Sequence, residues 1–206
     1  VAPSRGLGDV YKRQVEQSRN AARKMAEESH NALFTALSLV DKYSEEGVER
    51  VENMESKVDR YEDELGTYLV KLSHKDISEA DSHSLSIMLH CIGDFERISD
   101  HALSIMKSAK EISEKNARFS DKAVQELHIM DTAVSDIVEK AYSVFANQDM
   151  RAAEEIEPLA EVIDDLGGLD IPMSYAELVH MNNYCVETSE LTGREYTCLL
   201  YTSDAA

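Results

Sequence analysis

Two pairs of carboxylates stand out by type and spacing. Glu55 and Asp59 lie four residues apart, and so do Glu96 and Asp100. On a helix that spacing puts both side chains of a pair on one face, one turn apart. Four carboxylates on two facing helices would offer hard oxygen ligands, suited to iron, manganese, magnesium or calcium rather than to soft-metal chemistry. Spacing alone is weak. The chain has 40 acids in 206 residues, so roughly seven such pairs arise by chance, mostly on solvated faces. Position says more. At about 100° per residue, Glu96 falls within roughly 40° of Leu85, Leu89, Ile92 and Leu103, and Asp100 about 40° to the other side. Both acids lean toward an apolar stripe, whereas Asp94 points to the opposite face. Glu55 and Asp59 sit at the edge of their own stripe. A carboxylate beside a core is costly unless a cation or hydrogen-bond donors meet it. Two readings stay open: a metal cluster, or neutralisation by Arg97, Lys57 or Arg60.

The elements that carry these acids are helices. Gly and Pro are scarce, Trp is absent, and good helix formers dominate. The pattern of apolar residues predicts a first helix over about 16–43, with Met25, Leu33, Leu37 and Val40 at helical spacing. Gly47 marks a break. A second helix follows over about 48–72, and a long third one over 79–115. Ser78 or Asp81 can cap the third. Ser120 with Asp121 opens a fourth helix, and a short break near 147–149 leads to a fifth over 150–166. Short connections between long helices imply antiparallel neighbours, so the expected fold is an all-α up-down bundle. After Leu166 the pattern fails at Gly167, Gly168 and Pro172.

Charge narrows the partners. With 21 basic and 40 acidic residues the net charge is −19, which argues against nucleic acid and against anionic lipid surfaces. No run of about 18 apolar residues exists, so no direct membrane insertion of this stretch is expected. Three scattered cysteines form no metal or disulfide framework.

The two ends read differently from the rest. Asp9-Val-Tyr-Lys-Arg-Gln14 and Cys198-Leu-Leu-Tyr-Thr-Ser203 can be encoded by one stretch of DNA read on opposite strands. That stretch resembles a sequencing-library adapter. Residues 1–14 and 198–206 are therefore expected to be adapter-derived tails around a fragment of a longer gene. Residues 167–197 are of uncertain origin, with a slipped reading frame as one account.

An internal repeat links Val51–Asp59 to Ile156–Asp164, as two copies of a three-helix unit would produce. The run Cys91-Ile-Gly-Asp-Phe-Glu-Arg-Ile-Ser-Asp-His-Ala-Leu-Ser-Ile105 resembles the signature helix of the PhoU family. The run Lys57-Val-Asp-Arg-Tyr-Glu-Asp-Glu-Leu-Gly-Thr-Tyr-Leu-Val-Lys71 is similar to the PhoU-like region fused behind sodium/phosphate cotransporters, as is Glu157–Asp164. The resemblance covers about 15–166. It implies tandem three-helix PhoU-like units, the first over 15–118 and a truncated second over 119–166. It also implies that Glu55, Asp59, Glu96 and Asp100 are ligands of a metal cluster. In the second unit Ala160 stands where the family has an acid, so no second cluster is expected.

By the same resemblance the domain is regulatory, not an enzyme. It would sit on the cytoplasmic side of the bacterial inner membrane, behind the transporter domain of an integral membrane parent, and modulate phosphate uptake. Alternatives are a free-standing PhoU-type negative regulator of phosphate ABC transport and its sensor kinase, or a helical interaction module without metal. A homodimer through an apolar groove of the fourth and fifth helices is a further expectation. Glu27-x-x-His30 and Glu177-x-x-His180 have the spacing of di-iron bundles, but partner helices with clear Glu spacing are lacking. His90 and His101 read as packed residues more than ligands, Cys91 as a buried thiol, and Met25, Met88, Met106 and Met130 as core fillers. No glycine-rich phosphate loop is present.

Overall fold

The computed structural model of the chain describes residues 5–147, 150–156 and 158. Among the described residues five helices follow one another: α1 (Arg5–Asp41), α2 (Glu45–Ser73), α3 (Glu79–Glu114), α4 (Asp121–Asn147) and α5 (Met150–Glu154). Among the described residues there is no strand, and the chain is an all-α bundle as its periodicity requires. No helix among them is long and apolar enough to cross a membrane.

Helices α1, α2 and α3 pack pairwise into one unit, and α4 packs on α1. Cross-helix contacts give the directions. Arg19 reaches Ser84 and Ser29 reaches Phe95, so α1 and α3 run parallel. The chain reverses twice between them, and α2 lies antiparallel to both. Helix α4 returns antiparallel again, with His30 against Glu139 and Phe95 against Phe145.

The caps explain the corners. Ser44 accepts a hydrogen bond from the Gly47 amide at 3.1 Å, and Glu45 and Glu46 favour the positive end of the α2 dipole. Gly47 is therefore inside the first turn of α2, not a break before it. A Cβ on Gly47 would stand 2.5 Å from Leu39 Cδ2 and 2.9 Å from Ser44 Oγ. Glycine lets the last turn of α1 close on the first turn of α2. Ser78 caps α3 by accepting from the Asp81 amide at 3.1 Å, which settles the choice between Ser78 and Asp81. At the other end, Asn116 adopts φ 48°. Ala117 N–H bonds to Ile112 O and Asn116 N–H to Ser113 O, the pair of bonds that closes a Schellman stop.

Two boundaries depart from the sequence expectation. Helix α1 begins at Arg5 rather than near Glu16. Nothing between Tyr11 and Gln14 breaks a helix, Tyr11 packs on the core and Val15 is buried, so the helix has apolar surface to cover before residue 16. The expected fifth helix over 150–166 is described only at Met150–Glu154, with Ile156 buried. Residues 157 and 159–166 of it, the region 167–197 and the tail 198–206 lie outside the described residues, and so do Glu177-x-x-His180 and all of the Glu157–Asp164 motif but Pro158.

The core holds Met25, Leu69, Leu85, Met106 and Ile137. The methionines Met25, Met88, Met106 and Met130 are all buried, as gap-filling side chains should be. Between α1 and α3 the packing is tighter. Ala22, Ala26, Ser29, Ala32 and Ala36 are buried on α1, and Ser29 donates to Phe95 O at 2.8 Å. Ser99 is fully buried, yet its hydroxyl has no hydrogen-bond partner. A helical serine ordinarily back-bonds to the carbonyl four residues earlier, here Phe95 O, which already accepts from Ser29. On α4, Met130, Val134, Ile137, Val138, Ala141 and Val144 are buried, whereas Val124 and Ile129 are about half exposed. The apolar face of α4 is thus largely covered, and its exposed apolar side chains lie toward its N-terminal end.

Candidate functional site

The antiparallel pairing of α2 with α3 decides where the four acids go. Residues 55 and 59 ascend one helix as 100 and 96 descend the other. Gly66 keeps the two helices close about two turns beyond Asp59, because a Cβ there would lie 3.3 Å from Ile92 Cδ1. Each helix buries its apolar neighbours: Val51, Val58 and Leu65 on α2, Ile92, Phe95 and Ala102 on α3. The carboxylates ride on the outer lip of that seam. Glu55 and Glu96 are half-buried, and Asp59 and Asp100 are exposed.

The four acids sense one another across the seam. Burial holds the Glu96 carboxyl above the usual range, and the charges of Asp100, Asp59 and Glu62, with a carboxyl–carboxyl hydrogen bond to Asp100, push it the same way. Burial also raises Glu55, reinforced by Asp59 and Asp100 and opposed by a hydrogen bond from Ser56 and by the charge of Lys107. Asp59 is raised by burial, then by Asp100 and Asp63. Like charges that disfavour each other's ionisation are the expected signature of carboxylates sharing a site.

Two of the basic residues that could have quenched them are engaged elsewhere, while the charge of Lys107 acts on Glu55. Lys57 Nζ lies 3.0 Å from Glu28 Oε1, and Arg60 Nη2 lies 3.7 Å from Glu64 Oε1. Among the described residues no ion pair reaches Glu55, Asp59, Glu96 or Asp100. The seam is therefore a concentration of negative charge with hard oxygen donors, which fits a hard cation in charge and ligand type. It is a set of neighbours rather than a closed ligand shell: among the described residues no three His, Cys, Asp or Glu side chains are placed to hold an ion.

The other residues singled out by sequence fall as follows. Asp94 is turned away from α2 and lines a small cavity with Phe95, Val138 and Tyr142. His30 does not join Glu27 at a metal site, for its Nε2 lies 2.7 Å from Glu139 Oε2. Cys91 is fully buried and its thiol donates to Ile87 O at 2.8 Å. Glu62 was not among the expected acids although its charge acts on Glu96. The signal was available: Glu62 is seven residues beyond Glu55, two turns along the same face.

No curated protein matches the chain. Residues 22–109, which run from the first buried alanine of α1 to the last buried one of α3, match the family model of the PhoU domain.

Proposed function

We propose that this chain carries a PhoU-like regulatory domain of a sodium-dependent phosphate cotransporter. The domain would act on the cytoplasmic side of the bacterial inner membrane and modulate phosphate uptake without catalysing a reaction. The observation that carries the reading is the convergence of Glu55, Asp59, Glu96 and Asp100 across one helix seam, within the span that matches the PhoU domain. The cotransporter parent rests on the run Lys57–Lys71, which is similar to the region fused behind such transporters.

In this reading Glu55 and Asp59 from α2, with Glu96 and Asp100 from α3, would hold an iron, manganese, magnesium or calcium ion. When bound, the ion supplies positive charge that four crowded carboxylates lack. The protein's part is to present oxygens from two helices on one seam, so that binding an ion would draw α2 against α3. Contacts with the transporter domain would then read the state of that unit.

The test is sodium-dependent phosphate uptake in bacterial cells that co-express the chain with a sodium/phosphate cotransporter. Uptake should change with the chain and revert with Glu96→Ala/Asp100→Ala. The metal content of both purified chains should differ by the cluster's ions. Unchanged uptake with both chains would sink the cotransporter reading. A change in ABC-type phosphate uptake instead would favour the free-standing regulator.

A further inference from the structure

Helices α1, α3 and α4 meet around a cavity of about 20 Å³. One water needs roughly 10–15 Å³, so volume alone would admit a water. A buried water also needs two to four polar partners. Four polar side chains reach this wall, and three of them are committed elsewhere. The Ser29 hydroxyl donates to Phe95 O at 2.8 Å. His30 turns its Nε2 to Glu139 Oε2, 2.7 Å away. Asp94 has a partner of its own. The fourth, Tyr142, meets the His30 ring with its own ring, centroids 4.7 Å apart. The rest of the wall is hydrocarbon, from Ala26, Phe95, Ile98, Val138 and Ala141. A void so lined stays dry.

We propose that this cavity is a binding site for a small apolar guest, of the size of a xenon atom or a light hydrocarbon. The attraction is dispersion. Wall atoms that face a void lack neighbours on one side, and a guest restores those contacts. His30 and Tyr142 are only partly buried, which gives the guest a way in from solvent.

The guest touches three helices at once. With α4 undocked the wall is open along one side, so the guest binds the docked arrangement and not the undocked one. By mass action it then favours the packing of α4 on α1. Helix α4 lies beyond residues 22–109. The site therefore ties that span to the helix that follows it.

A xenon titration of the full chain, followed by methyl NMR, tests the site. The methyls of Ile98, Val138 and Ala141 should shift and saturate. Those of Val51 and Val58, buried on α2 and absent from the cavity wall, should not. Val138→Ile adds one methylene to the wall and Ala141→Val adds two carbons. Both should weaken xenon binding, the second by roughly tenfold. Shifts that grow linearly without saturation, or that are equal at Val51 and Val58, overturn the proposal whether or not either variant folds. A long-lived water detected at the Ala141 methyl would do the same. So would a xenon affinity that both folded variants leave unchanged.

Discussion

Helix α3 has two very different sides. Toward α1 it meets small residues, Ala22, Ala26 and Ser29, and accepts a buried hydrogen bond from Ser29 at Phe95 O. Toward α2 it presents Glu96 and Asp100 to Glu55 and Asp59. The first side is close-packed, with one buried hydroxyl, that of Ser99, left without a partner. The second is crowded with like charge and held together by the apolar residues beneath it. One helix can therefore be anchored on one flank and held under electrostatic load on the other, because the stability of the first offsets the repulsion in the second.

The largest effect should come from the anchored flank. Met25 is fully buried on α1, and Met25→Ala should destabilise the chain by about 2–5 kcal/mol, from lost burial plus the cavity left behind. Thermal or urea unfolding measures this, and a loss below about 1 kcal/mol would mean that the core collapses freely around the site.

Next in size is a cation on the loaded flank. A divalent ion that binds only the folded cluster, at about 100 times its dissociation constant, stabilises by about 2.7 kcal/mol. Manganese or magnesium should raise the unfolding midpoint of the unaltered chain and not that of Glu96→Ala/Asp100→Ala. Equal shifts in both chains would locate the effect outside the seam.

Charge removal without metal should be gentler. Glu96→Gln with Asp100→Asn should stabilise the metal-free chain near neutral pH by roughly 0.5 kcal/mol, the scale of like-charge pairs one turn apart. The pH profile carries the sign. Glu55, Asp59 and Glu96 have raised folded pKa values, so the folded state holds more protons than the unfolded one. The stability they give is present in acid and is lost as pH climbs from the ordinary carboxylate range through the raised values. Unfolding curves measured upward from the ordinary carboxylate range, at about pH 4, should show that loss, and the double variant should lessen it.

The smallest change belongs to Ser29→Ala. It removes a buried hydrogen bond, commonly worth about 1 kcal/mol. Here it also frees Phe95 O for the unpartnered hydroxyl of Ser99, one turn along. The net cost should be about half the usual value or less. Ser29→Ala combined with Ser99→Ala separates the two contributions, and a full loss in the single variant would show that Ser99 does not take over.

The same contrast explains what could be read from the sequence. The helix α3 was legible from end to end, because its cap at Ser78 and its apolar stripe are local signals. The acids Glu96 and Asp100 were legible because their angle to Leu85 and Ile92 follows from the helical repeat alone. The start of α1 was not, since a helix without a breaker extends as far as tertiary contacts reward it, and Tyr11 supplies one. Glu62 lies a heptad from Glu55, so a spacing of four does not reach it. The contact of His30 with Glu139 joins residues 109 apart. No periodicity within one helix encodes which face of another will cover it.

The consecutive positions 94, 95 and 96 of α3 have a mechanical consequence. Asp94 and Phe95 look toward α4, where Phe95 meets Phe145 edge-on at 4.9 Å, while Glu96 looks toward α2. The helix is thus an axle with a tooth on each side. At a radius of about 5 Å, a roll of roughly 10° sweeps each tooth by close to 1 Å. A roll of that size that drew Glu96 and Asp100 inward would turn the Phe95 ring by the same angle against the Phe145 ring it meets.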